Sequence, residues 1–362
     1  MIKHFLALLF FIIAKIVPAQ VDTYTIHLKP EDWGLKPQAY FICGIEDKRH
    51  SSGNDGKVLS AASGKPISVK FENGMEKEIH SFIAGSLVND TGKIPLWIGI
   101  DELVFKDPGT ASKHTLSLNF SMHVFRVIDG KEIELYQTSG TPQMAARGFP
   151  KEMPETILRQ TFKQILTGFD DWVNKNPNQV SLCKSVQVEF VKEQEAAMDF
   201  KKDTLHWTPS YSLKWTDFQG PVDQKSPFSA QSHCLFDYKA VPTFQNQVMV
   251  LNVSLFACFA KKGSWVQKDK KEIGLLAHEQ LHFDICELFI RKLKKKISET
   301  PLGLLECDQQ LKTLFEEAWK SYQDAQFRYD EETEHGVVPE YQKSWTEQVR
   351  IEMDELKDYS GN

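Results

Sequence analysis

The sequence lacks the motifs of several common enzyme classes. It has no Gly-x-Ser-x-Gly elbow for a serine nucleophile and no glycine-rich loop for binding phosphate. No two cysteines are spaced as Cys-x-x-Cys, so neither a zinc knuckle nor a thioredoxin-like redox centre is indicated. The sequence does not choose between disulfides and buried thiols for its cysteines. These are Cys43, Cys183, Cys234, Cys258, Cys286 and Cys307.

The chain also lacks an excess of positive charge. Its formal net charge is −6 at pH 7, and it becomes −8 if Lys3 and Lys15 are removed with the N-terminal segment described below. Proteins that bind nucleic acid do so largely through basic patches that contact phosphates. The charge balance therefore argues against a nucleic acid partner.

Only the N-terminus contains a long apolar run. A short basic start precedes the apolar residues 5–14, and Val17-Pro18-Ala19 resembles the small-residue site where signal peptides are cleaved. The run is too short to span a bilayer as a retained helix. We therefore predict a signal peptide over residues 1–19, a periplasmic or secreted protein, and no stable membrane anchor after cleavage.

The remaining chain of about 340 residues predicts two domains and an α+β fold class. Residues 20–180 are expected to form an α+β domain of unknown role, with a linker near Pro177. Residues 184–362 are expected to form a small antiparallel sheet followed by helices. We predict these helices from about Asp269 to Ile297, from Asp308 to Tyr329 and from Pro339 to Leu356, the first opened by a capping box of Asp269 and Glu272.

The most informative pattern is HExxH, at residues 278–282. Residues i and i+4 lie about 40° apart around a helix, so His278 and His282 can reach one ion. Glu279 points to a neighbouring sector, where it can deprotonate a metal-bound water. The surrounding residues 275–289 are mostly apolar, and burying two histidines and a glutamate among them is costly unless something binds them. The pattern predicts a catalytic metal site with Glu279 as the general base.

A third ligand is needed, because catalytic zinc sites usually have three protein ligands and one open position. The loop at residues 330–336 offers donors that include Glu334 and His335. The helix before it is about 22 residues, or about 33 Å, which is long enough to return past the motif. The glycine after His335 permits a tight turn. Glu316 and Glu317 are alternatives, and spacing alone neither selects a ligand nor excludes an ordinary exposed loop.

Other residues are candidates for roles around the metal. Tyr341 is a candidate oxyanion donor, as is Tyr329, although aromatic residues near a helix end more often belong to the core. Trp215 and Asp217 are candidates for a substrate groove, or for a turn packed against the core.

Two further expectations concern the elements around the motif. Asp284 and Glu287 are candidates to orient the second nitrogen of a histidine ligand, with an i,i+4 pair to Arg291 as the alternative for Glu287. Residues 247–259 alternate as a strand that packs against a helix. An exposed edge of this strand could bind an extended peptide by strand addition.

Four segments of the second half occur in order in one bacterial family. They are LKWTDFQG (213–220), SWV (264–266), LLAHEQLHFDI (275–285) and TEHG (333–336), the last followed by Gln342 and Trp345. Over roughly residues 200–358 the chain resembles the family named domain of unknown function 922, described as predicted zinc-dependent proteases. Leu281 stands where a glycine is frequent in that family. The resemblance implies Zn²⁺ as the cofactor, a zincin-like metallopeptidase domain, and His335 as the third ligand.

These observations support two hypotheses of function. The first is an exported zinc-dependent metallopeptidase that hydrolyses a peptide or protein substrate, with a metal-activated water and Glu279 as base. The second is a non-catalytic envelope protein with a structural zinc site and an N-terminal domain that binds a partner. An intact Glu279 favours the first, because a structural site needs no base beside the metal.

Overall fold

The computed structural model describes residues 22–191 and 203–360, apart from the single residues 52, 61, 89, 111, 149 and 151. The predicted signal peptide lies outside these residues. The chain divides into two compact units, with the boundary between Lys175 and Asn176. Helices and sheets occur in both units, which confirms the α+β class. Among the described residues, no helix is both long and apolar enough to cross a membrane.

The first unit combines two sheets with two helices in its described residues. In chain order its elements are β1 (Thr23–Ile26), β2 (Tyr40–Asp47), β3 (Lys57–Leu59), β4 (Pro66–Phe71), α1 (Met75–Ser86), β5 (Ile94–Lys106), β6 (Lys113–Ile128), β7 (Lys131–Gly140), β8 (Gln143–Arg147) and α2 (Met153–Lys175). One sheet has the order β1-β4-β3, and the other has β2-β5-β6-β7 with β8 also paired to β6. Helix α2 buries one apolar face, which includes Leu158, Phe162 and Phe169.

The second unit contains two sheets and three long helices among its described elements. These elements are β9 (Ser185–Phe190), β10 (Thr204–His206), β11 (Ala230–Gln231), β12 (Cys234–Gln245), β13 (Val248–Ala260), β14 (Trp265–Val266), α3 (Ile273–Glu299), α4 (Cys307–Thr333) and α5 (Pro339–Glu355). The four-stranded sheet has the order β10-β13-β12 with β9 also paired to β13, and β11 and β14 form a two-stranded sheet. Short 3-10 turns occur at Val180–Leu182, Trp215–Asp217, Lys261–Gly263 and Lys357–Tyr359.

Strand β13 lies in the middle of its sheet. It pairs with β12 along one edge and with β9 and β10 along the other. Since β9 pairs with residues 248–253 and β10 with residues 258–260, the prediction that this strand offers an exposed edge to a peptide is wrong for these residues and for the whole edge along β12. Alternation of apolar residues identified one face of the strand but did not reveal that both edges are occupied.

The alternating face of β13 packs against helix α3, as its pattern predicted. Met249, Leu251, Val253, Leu255, Ala257 and Phe259 share one core cluster with residues of α3. The Phe259 ring lies 5.9 Å from that of Phe283 on α3 and 5.1 Å from that of Phe218, measured between centroids. Close packing of these rings fixes α3 on the sheet.

The start of α3 differs from the prediction. Glu272 is the N-cap residue, and no side chain makes a capping hydrogen bond there, so the expected capping box is not formed. Tertiary packing supplies the stability instead, because residues such as Leu281, Phe283 and Ile285 are buried. Helix α4 then returns along α3, as its predicted length required, and brings its end opposite the HExxH motif.

All six cysteines lie within the described residues, and no disulfide joins any of them there. Cys286 is fully buried on α3. Burial raises the pKa of its thiol well above the usual value, because the charged thiolate is poorly solvated in the core. This thiol therefore behaves as a core side chain.

The packing of β13 against α3 can be tested with Phe259→Ala. We expect this change to lower the free energy of unfolding by about 3–5 kcal/mol, the usual cost of deleting a buried phenylalanine. The matched control is Val241→Ala, because Val241 is 44% exposed on β12 and should cost about 0.5 kcal/mol or less. Urea unfolding of the three proteins provides the measurement. Equal losses in both variants would contradict this account of the core.

Candidate metal centre

Four side chains from α3 and the end of α4 converge at one point. Asp330 Oδ1 lies 3.1 Å from His278 Nε2, 3.0 Å from His282 Nε2 and 3.3 Å from His335 Nδ1. The Nε2 atoms of His278 and His282 are 3.1 Å apart. His278, Asp330 and His335 offer ligand atoms within 4.8 Å of one another and could hold a metal ion. By its distances, His282 belongs to the same cluster.

Two glutamines orient the helix histidines. Gln326 donates from Nε2 to the backbone carbonyl of His282 at 2.8 Å, so its Oε1 is left to accept from Nδ1 of the same residue. Gln342 Oε1 lies 3.3 Å from His278 Nδ1 and accepts from it. In this arrangement both Nδ1 atoms carry the proton, and both Nε2 atoms present lone pairs to Asp330.

This geometry fits a cation. Two imidazole lone pairs and a carboxylate oxygen repel one another at separations of 3.0–3.1 Å unless a positive charge lies among them. Ligands at about 2.0–2.1 Å from a tetrahedral zinc ion are themselves separated by about 3.3 Å. The three donors of His278, His282 and Asp330 therefore already form a triangle close to the size of one face of a zinc site.

In the absence of a metal ion, protons on the histidines balance the negative charge of Asp330. Burial opposes the charged form of Asp330, but hydrogen bonds from His278 and His282 outweigh it and hold the pKa of this carboxyl well below its usual range. Burial likewise opposes protonation of His282, and the hydrogen bond and charge of Asp330 outweigh it, so the pKa of His282 is raised. A metal must displace a proton from His282, so metal affinity should increase as the pH rises through that pKa.

Glu279 has an unusual environment. Its side chain is 3% exposed, and Oε2 has no hydrogen-bond partner within the described structure. A buried carboxylate oxygen without a partner costs free energy, so such groups generally indicate a missing ligand, ion or water. Glu279 lines the same cavity as His278 and His282. Glu279 thus combines a buried carboxylate oxygen that lacks a protein partner with a place in the wall of the cavity that the histidines also line.

The turn after α4 holds His335 in place. Glu334, His335 and Gly336 have positive φ angles of 47°, 57° and 85°. Thr333, fully buried, donates from its hydroxyl to the carbonyl of Tyr329 at 2.7 Å and accepts from the Gly336 amide at 3.2 Å. A Cβ atom on Gly336 would lie 2.9 Å from the Cβ of His278, so only glycine fits there.

Tyr329 packs against His278 and hydrogen-bonds at the same site. Its ring stacks on His278 with centroids 4.7 Å apart, and its hydroxyl lies 2.8 Å from Gln342 Oε1 and 3.2 Å from the His278 carbonyl. Burial raises the pKa of this hydroxyl above its usual value. Because Tyr329 is fully buried and bonded to these partners, it positions His278 and is not available as an oxyanion donor.

An open cavity gives access to the donors. Its volume is about 1480 Å³, and its walls come from the segment 227–237, the start of α3 and the second half of α4. His278, Glu279, His282, Asp330 and His335 all line it. The site is therefore reachable by a molecule considerably larger than water.

The other sequence candidates lie elsewhere. Tyr341 is 56% exposed and does not line this cavity. Asp217 is buried and accepts hydrogen bonds from the Tyr211 hydroxyl and the Lys214 amide, both at 2.8 Å. Trp215 packs with its ring 5.0 Å from that of Phe218. Both Trp215 and Asp217 thus fix a turn, and neither lines the cavity.

The carboxylates near the motif also have other partners. Asp284 accepts from Trp207 Nε1 at 2.8 Å and from Gln280 Nε2 at 2.9 Å. Glu287 forms the i,i+4 pair with Arg291 at 2.9 Å. These contacts brace α3, and the histidines are oriented by glutamines instead.

Of the alternative third ligands, only one borders the cavity. Glu316 and Glu317 are exposed on α4 and do not line it, whereas Glu334 does. Sequence reasoning placed Asp330 only within the loop 330–336, did not name Gln326, and named Gln342 only as part of the family resemblance. A signal was present for the first two, since Gln326 and Asp330 are spaced i,i+4 and so share one face of α4.

Comparisons with known proteins match the second unit to one family. Residues 257–336 match the family model described as bacterial protein of unknown function (DUF922). This confirms the resemblance over that segment. A solved structure described as "Crystal structure of uncharacterized protein" covers 42% of this chain and 99% of its own, at 7% identity and a TM-score of 0.25. No curated protein matches the chain.

The donor set predicts a specific order of metal affinities. We expect His278→Ala, His282→Ala and Asp330→Ala to abolish stoichiometric zinc binding, because each variant lacks one of the three closely spaced donor atoms. His335→Ala should weaken binding less severely, because the half-exposed His335 lies 3.3 Å from Asp330 Oδ1 as a further candidate ligand. Zinc titration at one pH above neutrality provides the measurement, and Glu317→Ala is the control. Loss of zinc in His335→Ala with retention in Asp330→Ala would make His335 the third ligand.

Gly336→Ala tests the packing of the turn on His278. The strained φ should cost about 1–2 kcal/mol, and the contact with His278 should also weaken zinc binding. Gly130→Ala is the matched control, because Gly130 has a φ of 77° with no atom within 4 Å of its added Cβ. The control should lose similar stability yet bind zinc normally. Wild-type zinc affinity in Gly336→Ala would refute the proposed contact.

Proposed function

We propose that this chain is an exported zinc-dependent metallopeptidase whose second unit is a zincin-like domain. One observation carries the proposal. Glu279 lines an open cavity that His278, His282 and Asp330 also line, and its buried Oε2 has no hydrogen-bond partner within the described structure. The family match over residues 257–336 and the packing of a sheet against the HExxH helix are consistent with it.

The donor chemistry supports zinc as the cofactor. Two neutral imidazoles and a carboxylate are ligands that zinc accepts, with His278, His282 and Asp330 holding the ion and His335 beside them. A zinc ion bound there would polarise the scissile carbonyl and make a water acidic enough to act at neutral pH. The glutamines at Nδ1 keep both imidazoles in the tautomer that leaves Nε2 for the ion.

Glu279 provides the acid–base chemistry. Its unpartnered oxygen can accept a hydrogen bond from a water molecule in the cavity and then take a proton from it. The water oxygen bonds to the carbonyl carbon of the substrate. As the carbon–nitrogen bond breaks, the proton passes from Glu279 to the departing amine. Glu279 thus returns to the carboxylate form, and one water is consumed.

The competing hypothesis is a structural zinc site in a non-catalytic envelope protein. His335 could serve as a fourth donor in such a site, because structural zinc is usually held by four protein ligands. A structural site, however, uses neither a large open cavity nor a buried carboxylate without a partner. Both features favour catalysis.

Replacement of Glu279 separates the two hypotheses. Glu279→Gln removes the base but no proposed ligand, so it should retain one zinc per chain and lose peptide hydrolysis by about a hundredfold to ten-thousandfold. Zinc content and cleavage of a mixed peptide library are the two measurements. Glu299→Gln is the control, because Glu299 is exposed at the far end of the same helix.

Two results would contradict the proposal. Undiminished hydrolysis by Glu279→Gln would require a different mechanism. Tight zinc binding by the wild type without hydrolysis of any library peptide would support the structural alternative.

A further inference from the structure

Large apolar side chains are exposed around the cavity. Among the described residues, the three most exposed large hydrophobic side chains are Ile273 at 89%, Val337 at 71% and Phe327 at 65%. Val337 and Phe327 line the cavity, and Ile273 directly precedes Gly274, which also lines it. Phe228, 39% exposed, is a further lining residue. The three lining residues Phe228, Phe327 and Val337 are termed the apolar rim.

The apolar rim lies next to the metal donors. The Phe228 ring is 4.3 Å from that of His335, measured between centroids. Phe327 is three residues before Asp330 on α4, which places the two side chains on neighbouring turns of the same face. Val337 is two residues after His335. Bulky groups of a bound molecule would therefore meet this rim when the molecule reaches the donors.

The segment that carries Phe228 is held in position. Gln267 Nε2 donates to the Phe228 carbonyl at 2.9 Å, and the Phe228 amide donates to Ser226 Oγ at 3.2 Å. Exposed apolar surface that is fixed beside a polar site and open to solvent is typical of ligand-binding surfaces. The rim thus presents a prepared surface to apolar side chains.

The exposed charges of the cavity have mainly one sign. Asp237, Glu272, Glu331 and Glu334 line it with exposed carboxylates, against one lysine, Lys270, among the described lining residues. Such a wall attracts cationic groups and repels anionic ones. A bound polypeptide would therefore gain from basic side chains and lose from acidic ones.

We propose that the cavity selects polypeptide segments in which a bulky apolar residue adjoins a lysine or arginine. The apolar side chain packs on the rim, and the cation lies near Glu331 and Glu334. This inference rests on the proposed function, because selective binding of such segments would serve to choose the substrates of a peptidase. Short peptides with small side chains and free carboxylates, in contrast, satisfy neither part of the wall.

Binding can be measured apart from cleavage with zinc-loaded Glu279→Gln. Four fluorescent peptides of equal length would combine a central phenylalanine or alanine with flanking lysines or glutamates. Fluorescence anisotropy should show the phenylalanine–lysine peptide binding about tenfold more tightly than either peptide with one mismatch. The alanine–glutamate peptide should bind most weakly.

Second substitutions assign each preference to its surface. Phe327→Ala should remove about fivefold to tenfold of the preference for phenylalanine, whereas Ile351→Ala should not, because Ile351 is exposed on α5 away from the cavity. Glu331→Gln should reduce the preference for lysine and its sensitivity to salt. Glu317→Gln, on the same helix outside the cavity, is the control.

The outcomes separate this inference from the proposed function. Equal binding of all four peptides, no detectable binding, or preferences that survive Phe327→Ala and Glu331→Gln would overturn the inference. Cleavage by the wild type could still be present in each case. Selective binding without cleavage by the zinc-loaded wild type would support the inference and count against the peptidase.

Discussion

Mutual repulsion among acceptor atoms is the constraint on which the second unit depends. The Nε2 atoms of His278 and His282 and the Oδ1 atom of Asp330 are held within 3.0–3.1 Å of one another. Such proximity is unfavourable unless a proton or metal ion provides positive charge among them. The rest of the unit must therefore hold these atoms together against their own electrostatics, and glutamines, an aromatic ring and a strained turn all contribute to this.

The fold supplies that rigidity by packing. Strand β13, paired on both edges, provides a fixed surface for α3, and rings such as Phe259 and Phe283 interlock across the contact. Helix α4 then places Gln326, Tyr329 and Asp330 against the motif. These three residues follow one another closely on α4. A shift of that helix would therefore disturb the tautomer of His282, the stacking of Tyr329 on His278 and the position of the Asp330 carboxylate together.

The part of the site that the sequence could predict is local. HExxH places two histidines and a glutamate on one helical turn by helix geometry alone, so their proximity could be predicted without tertiary information. The length of α4 correctly predicted its return to the motif. The glycine after His335 was expected to permit a tight turn, and the chain turns there with positive φ angles, although the reason it must be glycine is the neighbouring His278.

The rest depends on contacts that no local pattern encodes. Asp330 has the i,i+4 spacing from Gln326, but its acidic stretch contains other carboxylates, and only the docking of α4 shows that Asp330 meets the histidines. Gln342 reaches His278 across 64 residues, and its position after the TEHG segment did not reveal this contact. The two wrong predictions also concern tertiary structure. The start of α3 is stabilised by packing and not by the predicted capping box. The strands that pair with β13 depend on the strand order of the sheet, which a local pattern does not give.

The distance along the chain between the donors has a consequence for folding. His278 and Asp330 are separated by 52 residues, and a metal ion bound by both would close that segment into a loop. A covalent link closing a loop of this length removes unfolded-state entropy equivalent to about 4 kcal/mol at room temperature. No disulfide is present among the described residues. A bound ion would thus act as a cross-link within the second unit, and one that a chelator could open.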